Sequence, residues 1–358
     1  MRGVNDRPHD AASAPKGWHG DRPLVEVRRG DLVESVHAGG IAVAAASGRV
    51  LLAHGDPSGV AFLRSAAKPA QVLPLIAAGG VERFRLTEAE IAVMIGSHGG
   101  EPMHVEAVRS VLEKLGLPDS ALQCGAHAPF HRPSAQFLRE AGRRPTALHN
   151  NCSGKHAGML ALSLLLGAPH ERYLEESHPA QERIRRAVGA LAGVAPEGIP
   201  TAIDGCSAPT FALPLAAAAT LYARLLEPAG LPPDLAAAAG RAVDAMRRHP
   251  EMVAGTDRLC TDLMRAGSGG LVAKIGAEGF YGFGWSHEGA GRGAALKIGD
   301  GDGDRARPAA ALALLRAQGV LPPAAAEALA DRHAPPLRNH RGLLVGRLNV
   351  VMDLRPVP

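Results

Sequence analysis

What most constrains the fold of this chain is where its two kinds of hydrophobic periodicity fall. Four short β-prone runs stand near the start: Leu24-Val25-Glu26-Val27-Arg28, Val33-Glu34-Ser35-Val36-His37, Ile41-Ala42-Val43-Ala44 and Val50-Leu51-Leu52-Ala53. Gly and Asp separate them, and they read as an antiparallel meander. Near the other end, Gly270 to Gly276, Phe280 to Trp285 and Ala294 to Ile298 repeat the pattern between Gly-rich turns, and Leu343 to Met352 closes the chain. The middle is helical in character. Thr87-Glu88-Ala89-Glu90 is a capping box opening a helix that ends at Gly96. Glu101 to Leu115 carries an apolar stripe from which His104 and Glu106 fall away, and further helices are expected at Leu160 to Leu166, Pro179 to Leu191, Phe211 to Leu226 and Leu235 to Arg248. Gly255-Thr256-Asp257 is expected to cap Arg258 to Arg265, and Arg307 to Ala317 forms one more helix. Small strand groups at two ends cannot each bury a face alone, so they are expected to meet. The fold class expected is α/β in the broad sense (α+β), an antiparallel sheet from both chain ends with an inserted helical lobe.

The 358 residues are enough for one large core. We expect a tail over residues 1–21 and a single two-lobed domain over 22–358. In it the sheet comes from about 22–63 and 268–358, and the helical lobe from about 64–267. Thirty-nine Lys and Arg against 35 Asp and Glu leave a formal charge of +4 with no dense basic run, so neither nucleic acid nor a membrane surface is an expected partner. Met1 to Asp21 is polar and lacks the apolar core of a signal peptide, and no stretch reaches the length of a membrane span. Four widely spaced cysteines, 124, 152, 206 and 260, without a Cys-x-x-Cys pair, suit a reducing compartment. The expected location is cytoplasmic.

Only six of the basic residues are lysines, so lysines inside motifs are informative. Arg64-Ser65-Ala66-Ala67-Lys68-Pro69 follows an apolar run and leads into a helix that tolerates Pro69 in its first turn. A serine and a lysine three apart share a helix face, which puts a nucleophile one turn from an amine able to take its proton. Ser13-Ala14-Pro15-Lys16 matches the same pattern in the polar tail, so the pattern alone does not make a site. Lys274-Ile275-Gly276 ends an apolar strand and is similar to the Lys-Thr-Gly strand that edges the site of Ser-x-x-Lys enzymes, with its hydroxyl lost. Ser97 lies in a glycine-flanked turn with no local base. Cys152, Lys155 and Cys206 stand in polar turns; the two thiols are soft donors suited to zinc, and equally suited to being small buried apolar groups. Asp300-Gly301-Asp302-Gly303-Asp304 lacks the closing acid of a calcium loop and reads as a turn before a helix.

Taken in order, Arg64-Ser65-Ala66-Ala67-Lys68-Pro69, Ser97-His98-Gly99-Gly100-Glu101-Pro102, His149-Asn150-Asn151-Cys152-Ser153-Gly154-Lys155-His156, Asp204-Gly205-Cys206-Ser207-Ala208-Pro209 and Gly255-Thr256-Asp257 resemble the class 3, rhizobial-type L-asparaginase family over about Pro23 to Val351. The resemblance implies a fold like those of serine β-lactamases and glutaminases, a homodimer, and hydrolysis of L-asparagine to L-aspartate and ammonia. It implies two Ser-Lys pairs, Ser65 with Lys68 and Ser97 with Lys274, and zinc held by Cys152, Lys155 and Cys206 near the site. Asp204 and His156 match pocket positions. A free amino acid needs an anion for its α-amino group, for which Asp204 is the candidate, and a cation for its carboxylate, for which Arg64 or Lys155 is. The alternatives are a β-lactamase-like or glutaminase serine hydrolase, although no Ser-Asp-Asn motif occurs, and a non-catalytic zinc-holding regulatory protein.

Overall fold

The computed structural model describes residue 18, residues 20–267 and residues 270–357. Most of the expected tail lies outside the described residues. Of its last part, Trp18 packs on Gly40 and Gly59 and donates its indole N–H to Asp21.

The chain begins with β1 (Arg22–Arg29), β2 (Leu32–Ala45), β3 (Val50–His54) and β4 (Val60–Phe62). A 3₁₀ turn, Arg64–Ala67, runs into the short helices α1 (Lys68–Gln71), α2 (Leu73–Ala77) and α3 (Gly80–Arg83). Longer helices follow: α4 (Glu88–Ile95), α5 (Pro102–Leu115), α6 (Arg132–Glu140), α7 (Ser153–Leu165) and α8 (Pro179–Ala192). After β5 (Thr201–Ile203) and β6 (Pro209–Pro214) come α9 (Leu215–Leu226), α10 (Pro233–Arg248), α11 (Pro250–Val253) and α12 (Leu259–Ala266). The last part holds β7 (Leu271–Ile275), β8 (Phe280–His287), β9 (Ala290–Ile298), α13 (Ala306–Ala317), α14 (Pro323–His333), β10 (Leu337–Arg338), β11 (Leu344–Val350) and β12 (Arg355–Pro356).

The main sheet runs β10-β11-β1-β2-β9-β8-β7, with β3 on β2 and β12 on β3, and its pairings are antiparallel. Strands from both chain ends therefore interleave, and the helices between them form the second lobe, as the periodicity led us to expect. Helix α9 lies across β2, β8 and β9. A second sheet, β4-β6-β5, sits within the middle of the chain.

Several local expectations are corrected. The second and third β-prone runs are one strand of 14 residues, β2, because Gly39 and Gly40 are not a turn. A Cβ on Gly39 would stand 2.4 Å from the Lys297 carbonyl, so glycine here permits close approach inside the sheet. Phe211 belongs to β6, and the helix expected from it starts only at Leu215. Pro209 to Leu213 is buried on both faces, and such a continuous apolar run cannot be told from buried helix by periodicity. The α7 helix begins at Ser153, placing Lys155 and His156 in its first turn. Arg258, not Asp257, is the N-cap of α12 and makes no side-chain cap hydrogen bond, while the Asp257 carboxylate pairs with Arg332. His104 is fully buried instead of lying off the packed stripe. The capping box of α4 forms as read, Thr87 Oγ1 accepting from Glu90 N at 3.3 Å and Glu90 Oε2 from Thr87 N at 2.7 Å.

Candidate active site

Three chain segments converge where the edge strand β7 meets the helical lobe. Ser65 lies in the 3₁₀ turn entered by Arg64, whose φ of +50° is in the left-handed region that a bulky side chain occupies only at a cost of about 1–3 kcal/mol. The turn is held from both sides. Leu63 N–H donates to the Phe211 carbonyl at 2.9 Å, and Tyr222 O–H to the Ala66 carbonyl at 2.7 Å. Ser97 sits just beyond α4, and Lys274 is the fourth residue of β7.

Lys68 and Lys274 are both fully buried, and both nitrogens address Ser97. Lys274 Nζ is 2.7 Å from Ser97 Oγ and 3.0 Å from the Ile275 carbonyl. Lys68 Nζ is 3.1 Å from Ser97 Oγ, 2.5 Å from the Gly96 carbonyl and 3.4 Å from the Asn151 carbonyl. The two expected pairs are thus drawn into one unit. Ser97 meets Lys274 and also Lys68, whereas the half-exposed Ser65 hydroxyl has no hydrogen-bond partner among the described residues.

The acceptor sets of the two lysines differ. Three oxygens around Lys68 match the three N–H groups of an ammonium. Lys274 has one carbonyl and one hydroxyl, so a neutral amine can donate to Ile275 and accept the Ser97 O–H. Electrostatics agree. Burial, then the Lys68 charge, push Lys274 well below its ordinary value. Burial lowers Lys68 as well, with Lys155 adding to the drop, but Cys152 and Cys206 pull the other way.

A second cluster adjoins the first. Cys152 caps α7, Lys155 follows one turn on, and Cys206 comes from the turn between β5 and β6. All three are buried, and Lys155 Nζ lies 3.0 Å from Cys206 Sγ. The hydrogen bond from Cys206 holds the Cys152 thiol well below its usual range, Lys68 and Lys155 assisting, while the same bond and burial push Cys206 up. Burial works against the Lys155 charge, but Cys152, Cys206 and Asp204 outweigh it and raise its pKa. Among the described residues no group of three or more His, Cys, Asp or Glu side chains is arranged to hold a metal. The side chain that could join Cys152 and Cys206 as a further donor is Lys155, whose raised pKa means that a metal would have to displace its proton. Two touching thiols and an adjacent amine fit a soft divalent ion, which would displace the proton the thiols share and one from Lys155.

The candidate substrate-binding charges neutralise one another. Arg64 Nε is 2.7 Å from Asp204 Oδ1, and Lys155 Nζ is 4.0 Å from Oδ2. Burial raises the Asp204 carboxyl, but these two cations more than offset it. His156 is buried, and its Nδ1 is 2.6 Å from the Tyr173 hydroxyl. Gln123 N–H donates to Tyr173, and with the phenol O–H given to His156 Nδ1 the ring proton would sit on Nε2, which has no partner among the described residues.

A family model described as L-asparaginase II matches residues 25–350. The chain belongs to the L-asparaginase II family. That agrees with the resemblance carried by the motif order, and the family is one of amidohydrolases of the asparagine type. A comparison with curated proteins gives no match. Among solved structures the chain is similar to Mglu in its native form in the presence of 4.3 M NaCl, at 18% identity and TM-score 0.38, over 74% of this chain and 56% of that one. It is similar also to Mglu in its native form, at 17% identity and TM-score 0.42 over 79% and 64% of the two chains. A further Mglu structure matches at 16% identity and TM-score 0.42 over 79% and 67%. The chain thus spans little more than half the length of the first of these.

Lys68, Ser97 and Lys274, named from the sequence, come together in the fold, but the groups that support them were not foreseen. The carbonyls of Gly96 and Asn151, which solvate Lys68, sit inside quoted motifs yet carry no side-chain signal. Tyr173 lies outside every motif. A separate cleft of about 890 Å³ opens between α5 and α6, lined by Val105, Arg109, Phe137, Leu138 and His149 among others, and none of Ser65, Lys68, Ser97 or Lys274 lines it.

Proposed function

We propose that this chain hydrolyses the side-chain amide of L-asparagine to L-aspartate and ammonia, with Ser65 as nucleophile. The observation that carries the reading is the Ser97 hydroxyl held between two buried lysines, only one of which has acceptors for three protons. Ser97 gives its proton to neutral Lys274 and takes one from the Lys68 ammonium. Lys68, now neutral, accepts the Ser65 proton as Oγ attacks the amide carbon. The new O–C bond makes a tetrahedral intermediate. Its collapse breaks C–N, and the leaving nitrogen takes the proton from Lys68 and departs as ammonia. Water then attacks the aspartyl ester with an amine again as base, releasing aspartate and restoring Ser65.

For recognition, Asp204 receives the α-ammonium and Arg64 or Lys155 the α-carboxylate, so substrate replaces an ion pair already present. The unpaired His156 Nε2–H supplies a further donor. Cys152, Lys155 and Cys206 would hold zinc, which when bound would fix those side chains beside the substrate and leave Arg64 as the cation for the α-carboxylate. A cytoplasmic location and a homodimer complete the proposal. They are supported by four free cysteines and by the motif resemblance, respectively.

Steady-state ammonia release from asparagine and from glutamine tests the reading. Ser65→Ala is expected to lower asparagine turnover by about three orders of magnitude or more with the circular dichroism unchanged. Near wild-type turnover in Ser65→Ala overturns the nucleophile, and faster turnover of glutamine overturns the substrate.

A further inference from the structure

The turn that carries Ser97 is tied to a second loop by a carboxylate that the chemistry above leaves unused. Glu101 is buried, and both its oxygens are engaged by one residue. Oε1 accepts Thr256 N–H at 2.8 Å and Oε2 accepts Thr256 O–H at 2.7 Å. Its nearest cationic candidate, His104 Nδ1, is 3.9 Å away and accepts Glu101 N–H at 3.1 Å, so it offers the carboxylate no proton. Thr256 itself is exposed, in the loop between α11 and α12.

This loop is shaped to reach Glu101. Gly255 has φ +117°, and a Cβ there would stand 2.5 Å from Glu101 Oε1. The Gly255 carbonyl accepts Thr261 O–H at 2.7 Å, and His104 Nε2–H donates to the Glu251 carbonyl at 2.9 Å, which pins both flanks. Ser97 N–H donates at 2.8 Å to the carbonyl of Val253, the last residue of α11 and three before Thr256. Loop and turn are therefore joined twice, once beside Ser97 and once through Glu101.

We propose that Glu101 and Thr256 form a clamp that positions Ser97 between Lys68 and Lys274. Glu101 is a positioning residue; it holds the 254–258 loop, and the loop holds the Ser97 backbone through Val253. Both amines hydrogen-bond one hydroxyl oxygen, so a displacement of about 1 Å breaks one of the two contacts, and misplacements of that size cost on the order of 100-fold in rate. The proposal rests on reading Ser97 as the proton relay. A carboxylate that merely stabilised the loop would alter melting temperature without separating kcat from KM.

The test uses the full chain. Thr256→Val removes one hydroxyl and keeps the shape. It is expected to lower kcat about 10- to 100-fold with KM within about twofold and the melting temperature little changed, and Thr256→Ser to restore kcat to within about threefold of wild type. Glu101→Gln is expected to move kcat in the same direction. Deuterium uptake supplies a readout independent of substrate: peptides covering 96–101 exchange faster in Thr256→Val than in wild type or Thr256→Ser. Unchanged kcat in both variants, loss expressed only in KM, loss that serine does not rescue, or equal uptake in all three proteins overturns the clamp. If the wild-type chain releases no ammonia from either amide, the functional reading fails while the exchange experiment still decides the clamp.

Discussion

Replacing Lys68 by methionine is expected to raise the pKa of Lys274. The two nitrogens lie 3.1 and 2.7 Å from the same oxygen, so they are at most about 5.8 Å apart. At an effective dielectric of about 20, two unit charges at that separation repel by about 3 kcal/mol, which disfavours the doubly charged pair by about two orders of magnitude. Methionine removes this repulsion but leaves the burial that is the larger cause of the depression, so Lys274 moves up without returning to the ordinary lysine value. The sign follows directly. With its pKa lowered, Lys274 is neutral across a window below the unfolded lysine value, and the variant narrows that window from the acid side. With six lysines in the chain, a ¹³C-lysine titration followed by NMR resolves each residue, and Lys274→Met identifies the signal. In wild type the Lys274 resonance should titrate at lower pH than in Lys68→Met. An unmoved midpoint, or one that falls, refutes both the repulsion and the assignment of Lys274 as the neutral partner.

Asp204→Asn keeps the size of the side chain and removes its charge. It is expected to raise KM for asparagine about 10- to 100-fold with a smaller change in kcat, since hydrogen bonds to charged groups are worth about 1.5–3 kcal/mol; an unchanged KM in steady-state assays removes Asp204 from recognition. Cys152→Ser and Cys206→Ser are each expected to weaken zinc binding at least about 100-fold in equilibrium dialysis with metal analysis. Zinc uptake equal to wild type in either variant excludes that residue as a ligand.

The separation of the fold into sheet and helical lobe was legible because period-2 and period-3.6 patterns occupy different parts of the chain. Where the reading failed, tertiary packing overrode a local signal. Gly39 and Gly40 looked like a turn and are the places where β2 passes close to β9 and Trp18. Pro209 to Leu213 is apolar on both faces, so nothing in its pattern separates a strand from the helix that follows. His104 looked like a solvent-side residue of α5, yet it is buried and hydrogen-bonded at both ring nitrogens. A polar residue fully paired inside the protein leaves the same trace in sequence as one bathed in water.

The site divides along the same line. Spacing along the chain can place Lys68 one turn from Ser65, but it cannot say which oxygen the amine faces, because that depends on groups brought in from β7, α4 and the start of α7. In the folded chain Lys68 spends its three protons on Gly96, Ser97 and Asn151, and none reaches Ser65. A serine next to a lysine in sequence is then no evidence of an activated serine. On the proposed mechanism, the second amine across Ser97, buried at the sheet edge, would make the lysine a usable base by taking up the proton Lys68 must lose. That mechanism predicts that Lys274, 206 residues from Lys68 in the chain, is as necessary to Ser65 as its own neighbour. It also requires one hydroxyl, that of Ser97, between both nitrogens: without it the proposed transfer would have no short path, and Lys68 would stay an ammonium.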